Sequence, residues 1–341
     1  MARADVSTER PGSILIFPKV IADGTRDTII QITNTRTTIV HARCFYIDGS
    51  IDPSTLQPRW QESDFSIWLT KLQPTHWQVS QGRRVDSSDN SPGTASFPLG
   101  AGLDPGAVPP VTAGFTGQLL CAEVDSSDKP IAYNSLKGEA TIQNSASGDV
   151  SKYNAIGIQG IDPADPATPL NDLALDNVEY NGCPAALQFG LMTEGTADPV
   201  VETLGNAGSS VANYLTMIPC TQDLENMAAS TVPVYFDVWD EYEGHLSSLV
   251  NVTCWRQLSL AETAPAGAFA GRVTTFLSAR ITPRTQVGVL GVASSVVTDG
   301  TGLNSASVDV SLNLLGNDDL TNLPNQVGTP GSVAVIRLAA P

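Results

Sequence analysis

Turn-forming punctuation constrains this chain more than any other feature. It holds 29 Gly and 23 Pro, and an Asp-Pro pair begins at Asp52, Asp104, Asp162, Asp165 and Asp198. An Asp side chain hydrogen-bonds the backbone that follows it while Pro fixes φ, so each pair starts a turn. Between the turns run short segments rich in β-branched and aromatic residues, and helix signals are scarce. Residues 27–33 (DTIIQIT), a polar turn and residues 39–47 (IVHARCFYI) read as a hairpin. Further strands are expected at 13–17, 65–69, 76–79, 115–124, 136–142 and 153–159. A second series follows at 214–218, 232–239, 249–260, 272–281, 286–297, 306–315 and 332–338. One or two helical turns are expected over 221–229 (TQDLENMAA).

This pattern predicts an all-β chain of two antiparallel β-sandwich domains in tandem, jelly-roll or Ig-like. At 341 residues the chain exceeds what a single core usually organises. The expected order is a disordered polar arm over 1–12, a sandwich over 13–148 with a long loop at 86–110, and a second sandwich over 149–341. The second is acidic and carries a loop-rich insert at 162–184.

Charge narrows the partners. The net charge is −17, and 103 consecutive residues after Lys152 contain 14 acids and no Lys or Arg. Nucleic-acid affinity rests on basic groups that displace counterions, so such a surface excludes nucleic acid. It disfavours anionic lipid as well. No stretch is apolar enough to span a membrane as a helix. Residues 1–12 (MARADVSTERPG) lack the apolar centre of a signal peptide, so either export does not use that route or a leader has been removed.

The five cysteines form no CxxC and no Cys/His cluster, which argues against zinc, c-type haem and thioredoxin chemistry. Cys183 and Cys220 each adjoin a proline in loop-like sequence and are the expected disulfide. Cys44, Cys121 and Cys254 lie in apolar runs, either as buried small hydrophobes or with one further bridge among them.

Catalytic patterns are missing. His41, His76 and His245 stand in unrelated contexts, and there is no G-x-S-x-G before a helix, no HExxH and no phosphate loop. The run 237–243 (DVWDEYE) supplies carboxylates, but as a strand it turns Asp237 and Trp239 to one side and Val238 and Asp240 to the other. Trp60, Trp68 and Trp77 fall close together among amides and carboxylates and could together form a glycan-binding surface, with Trp60 and Trp77 as the stacking candidates; the plainer alternative makes Trp68 core and has Trp77 cover a sheet edge. Asp162, Asp165, Asp172 and Asp176 form a candidate calcium loop, because calcium takes carboxylate oxygens from flexible segments. No other cofactor is expected. Finally, Ile14, Leu15, Ile16 and Phe17 make a strand apolar on both faces, which must be covered on both sides within the chain or by a neighbouring subunit.

Together these features predict a non-enzymatic structural or interaction protein, a self-associating subunit of an extracellular or cell-surface fibre, filament or shell. A carbohydrate-binding module is the alternative, and an enzyme of unassigned class the third.

Overall fold

The computed structural model describes residues 6–85, 104–166, 168–169, 171–192, 209–263, 276–301, 305–311, 313–315 and 333–339. They are all-β, in several antiparallel sheets. Residues 86–103 of the expected long loop lie outside the described residues, as does Asp198.

The first sheet runs β1 (Ile14–Ala22), β2 (Arg26–Asn34), β3 (Val40–Asp48), β4 (Gln61–Leu69), β5 (Pro74–Gln78), β6 (Phe115–Val124), β7 (Leu136–Asn144), β8 (Val150–Asn154) and β9 (Ile156–Ile158). Its spatial order is β4-β3-β6-β1-β2-β7-β8, with β5 added on β2 and β9 on β1. Every residue of β1 is buried. The reason is its unbroken apolar sequence, which alternation divides between two cores. Leu15 and Phe17 enter one cluster with Ile30, Cys44, Ile67 and Trp77. Ile14 and Ile16 enter another with Leu173, Ile218, Leu290 and Ile336 from the second half of the chain. The strand 14–17 therefore completes its own sheet, between β6 and β9.

The remaining strands form three further sheets. β10 (Asp172–Leu175), β11 (Ala186–Met192), β12 (Ser210–Pro219) and β13 (Gln222–Asp223) precede β14 (Thr231–Asp240), β15 (His245–Thr253) and β16 (Arg256–Ser259). One helical turn, α1 (Leu260–Thr263), separates these from β17 (Phe276–Pro283), β18 (Val289–Thr298), β19 (Ser305–Ser311), β20 (Asn313–Leu315) and β21 (Ala334–Arg337). A five-stranded sheet, β15-β14-β17-β11-β20, and a four-stranded one, β16-β12-β18-β19, share a third apolar cluster that includes Phe189, Met217, Phe236, Leu258 and Ile281. A small sheet, β10-β21-β13, covers the second cluster; its β13–β21 pair is parallel.

Two expectations require correction. Residues 6–12 are not a free arm: Val6 is buried, Ser7 bridges Gly157 and Gly12 bridges Leu136. Residues 221–229 do not form a helix. A segment this short nucleates a helix poorly, and tertiary partners take it instead. Gln222 and Asp223 pair with β21, the Gln222 side chain bonds that of Gln118 at 2.8 Å, and Asp223 closes a turn onto the Asn226 amide.

Two disulfides are present. Cys44 and Cys121 sit directly opposite each other on β3 and β6 and are bonded, and Cys183 is bonded to Cys220. Cys254 remains a buried thiol, and burial raises its pKa. Among the described residues no helix is long and apolar enough to cross a membrane. The two bridges fit a non-reducing compartment.

Candidate functional site

The five-stranded sheet turns one face to its core and the other to solvent, and its outer face carries a linked group of aromatic and charged side chains. Alternation sets this up. In β14, Val232, Val234, Phe236 and Val238 point inward, so Tyr235, Asp237 and Trp239 point outward. Register then brings cross-strand neighbours together: Trp239 lies opposite His245 and Ser278, Asp237 opposite Ser247 and Arg280, and Tyr235 opposite Leu249 and Thr282.

The planar groups stack edge-up across the strands. The rings of Trp239 and His245 lie 5.0 Å apart and nearly parallel. The Arg280 guanidinium sits 5.3 Å from the Trp239 ring centre, and that of Arg284 sits 4.4 Å from Tyr235 and bonds its hydroxyl. Asp237 links the array, accepting from His245 Nε2 at 3.1 Å and lying 3.6 Å from Arg280. Phe276 lies over Gly190, where a Cβ would come 2.3 Å from the Phe276 ring; only glycine leaves that space. Asp237 and Trp239 sharing a face was legible in the strand pattern. Arg280, Arg284 and Phe276 were missed, because nothing in their local sequence says which strand they pair with.

Beyond this array the sheet ends in β15, an edge strand of nine residues. It contains no Pro, no Gly and no acidic or Lys/Arg residue. Leu249 at its centre is 61% exposed. Among the described residues no strand pairs with its outer side, and Arg256 holds the carbonyl of Asn251 at 2.8 Å. Two other edges are guarded. β4 turns out Glu62 and Asp64, and its Trp68 amide bonds the Pro105 carbonyl. β8 lies against β19, where the Ser307 amide and hydroxyl bond Asp149.

The candidate residues from sequence are distributed as follows. Trp60 and Trp77, expected to stack on sugar, are buried, which corrects that reading. Trp60 packs in the shared core, and Trp77 donates to the Tyr46 hydroxyl at 2.5 Å and packs edge-on to Phe65. Trp68 stacks on His41 at 3.8 Å. His41 is held by the Asp125 carbonyl at 2.9 Å, and burial lowers its pKa. His76 lies exposed on β5.

The aspartates turn to local work. Asp172 pairs with Arg337 at 3.3 Å, Asp162 accepts from the Ala164 amide, and Asp176 accepts from Val178 and Glu179. Asp165, Asp172 and Asp176 also lie near enough to Glu179 to raise its pKa, after burial as the larger cause. No three His, Cys, Asp or Glu among the described residues are placed to hold a metal ion. Asp240 closes the β14–β15 turn, accepting from the amides of Tyr242 and Gly244.

No family model matches the chain, and no curated protein matches it. Among solved structures, a red sea bream transglutaminase aligns with 91% of this chain at 10% identity and a TM-score of 0.14. The alignment spans 31% of that chain's length, and a superposition this poor carries neither fold nor activity across.

Proposed function

We propose that this protein is a non-enzymatic, extracytoplasmic interaction protein that self-associates by pairing β15 with β15 of a second copy. The finer architecture belongs to the same reading: two sandwich units joined across the second core, with the boundary expected at 148 moved past Ile158 because β8 and β9 pair within the first sheet. The observation that carries it is the free edge. Natural sheets guard their edges with charge, proline, bulges or cover, because an exposed row of amides and carbonyls templates further strands. β15 has none of the sequence guards, while β4 has two acids.

A second copy fits this edge for chemical reasons. At a net charge of −17 two copies repel, so a self-interface must be uncharged, as β15 is apart from its terminal His245. Antiparallel pairing about Leu249 sets Leu249 against itself, Ser247 against Asn251 and His245 against Thr253, all on the outer face. On the inner face Leu246 meets Val252 and Ser248 meets Val250. Both faces keep their polarity, and the contact is isologous, closing as a dimer. The two five-stranded sheets become one.

Light scattering during size exclusion tests this. The protein should pass from monomer to dimer with concentration. Leu249→Lys, which opposes like charges across the axis, should leave a folded monomer at all concentrations. Tyr242→Lys, on the exposed hairpin tip outside the edge, should dimerise normally. A wild-type chain that stays monomeric throughout, or a Leu249→Lys chain that still dimerises, overturns the proposal.

A further inference from the structure

Among the described residues the best-enclosed ion pair joins β1 to β19. Lys19 lies on β1 at the point where its register with β6 shifts. Both backbone groups of Lys19 are taken by one hydroxyl: its amide donates to Tyr153 at 3.1 Å, and Tyr153 donates to its carbonyl at 2.5 Å. This leaves the side chain aimed at the sheet formed by β18 and β19. Its Nζ meets Asp309 Oδ1 at 2.6 Å and Ser294 Oγ at 2.8 Å. The side chains of Lys19 and Asp309 are 8% and 0% exposed. Ser294 also donates to Asp309 Oδ1 at 2.5 Å, and Ser151 donates to Oδ2 at 2.5 Å.

From this geometry we infer that Lys19 and Asp309 join covalently, forming an amide between Nζ and Cγ with loss of water. Four features of the pocket point the same way. The pair is taken out of water, where desolvation works against the attraction that holds it as ions. Burial is the largest influence on Lys19 and lowers its pKa, which favours the free amine that the reaction needs. The two groups are held in contact by separate sheets, so attack is effectively unimolecular. Ser294 touches both Nζ and Oδ1 and so forms a route between them, while Ser151 holds Oδ2.

The step balances within the pocket. A proton passes from Nζ through the Ser294 hydroxyl to Oδ1, leaving a neutral amine and a neutral carboxylic acid. The Nζ lone pair attacks Cγ, and the charge that develops on Oδ2 is stabilised by the Ser151 hydroxyl. A second Nζ proton then follows the same route to Oδ1. The Cγ–Oδ1 bond breaks, Oδ1 leaves as water, and Oδ2 remains as the amide carbonyl. No oxidant, metal or cofactor enters the balance.

Mass spectrometry of the full-length protein, reduced and denatured, reads the result directly. The chain should weigh one water less than its sequence. A tryptic digest should yield a branched peptide joining Lys19 to Asp309, with no cleavage after Lys19. Asp309→Ala should restore the full mass whether or not it folds. Ser294→Ala keeps both reacting groups and should form the bond about a hundredfold more slowly. A wild-type chain at full mass that is cut after Lys19 overturns the inference, as does a water loss that maps elsewhere. Unchanged bond formation in Ser294→Ala overturns the proton route.

Discussion

The indole nitrogen of Trp255 donates to the carbonyl of Pro18 at 2.8 Å across a sequence separation of 237 residues. It ties the bend after β15 to the shifted register in β1. Trp255 also packs over Gly49, where a Cβ would fall 2.6 Å from that of the tryptophan. Trp255→Phe should destabilise by about 1–3 kcal/mol, because it leaves a buried carbonyl unpaired. Gly49→Ala should cost about as much through overpacking. Urea melts check both, with lower midpoints and unchanged slopes as the expected outcome.

Each disulfide restrains the unfolded chain. The bridges close separations of 77 and 37 residues, and in the chain-entropy model each contributes about 4 kcal/mol. Cys44→Ala with Cys121→Ala should therefore lower the urea midpoint at least as far as Cys183→Ala with Cys220→Ala. The reverse order would place the larger effect in native-state packing.

Cys254 should be silent towards thiol reagents in the folded protein and react once per chain after denaturation without reductant. Its burial both blocks access and holds back the thiolate. More than one reactive thiol after such denaturation would contradict the pairing of the other four cysteines.

Glu123 supplies a pH test. Its buried carboxyl accepts from the hydroxyls of Ser13 and Ser135 and the amides of Tyr133 and Ser135. Burial outweighs these bonds and raises its pKa. A carboxyl with a raised folded pKa binds its proton more readily folded than unfolded. Its contribution is thus full below the unfolded value and is lost as pH rises through the folded one. Acidification also discharges the surface generally, so the readout is the difference in Tm between wild type and Glu123→Gln. That difference should move in favour of wild type as pH falls from neutral into the usual carboxylate range.

Strand content was legible because β periodicity and turn chemistry are local. The alternation of 232–239 separated Phe236 from Asp237, and the two-faced apolar run at 14–17 required cover on both sides. Local sequence was less reliable where a residue had alternative partners. Trp60 and Trp77 sit among polar neighbours in sequence but among apolar ones in space. Helix-compatible residues at 221–229 were recruited by Gln118 and β21.

Sequence by itself determined that the chain is all-β, where its main strands lie and which faces of them are apolar, since each follows from neighbours two to four residues away. Only the tertiary structure decided what those strands meet. It put Cys44 opposite Cys121, set Trp239 beside Arg280, left β15 at an edge and closed Lys19 onto Asp309. These pairings span tens to hundreds of residues. They are fixed by the register and packing of whole sheets, which no local periodicity encodes.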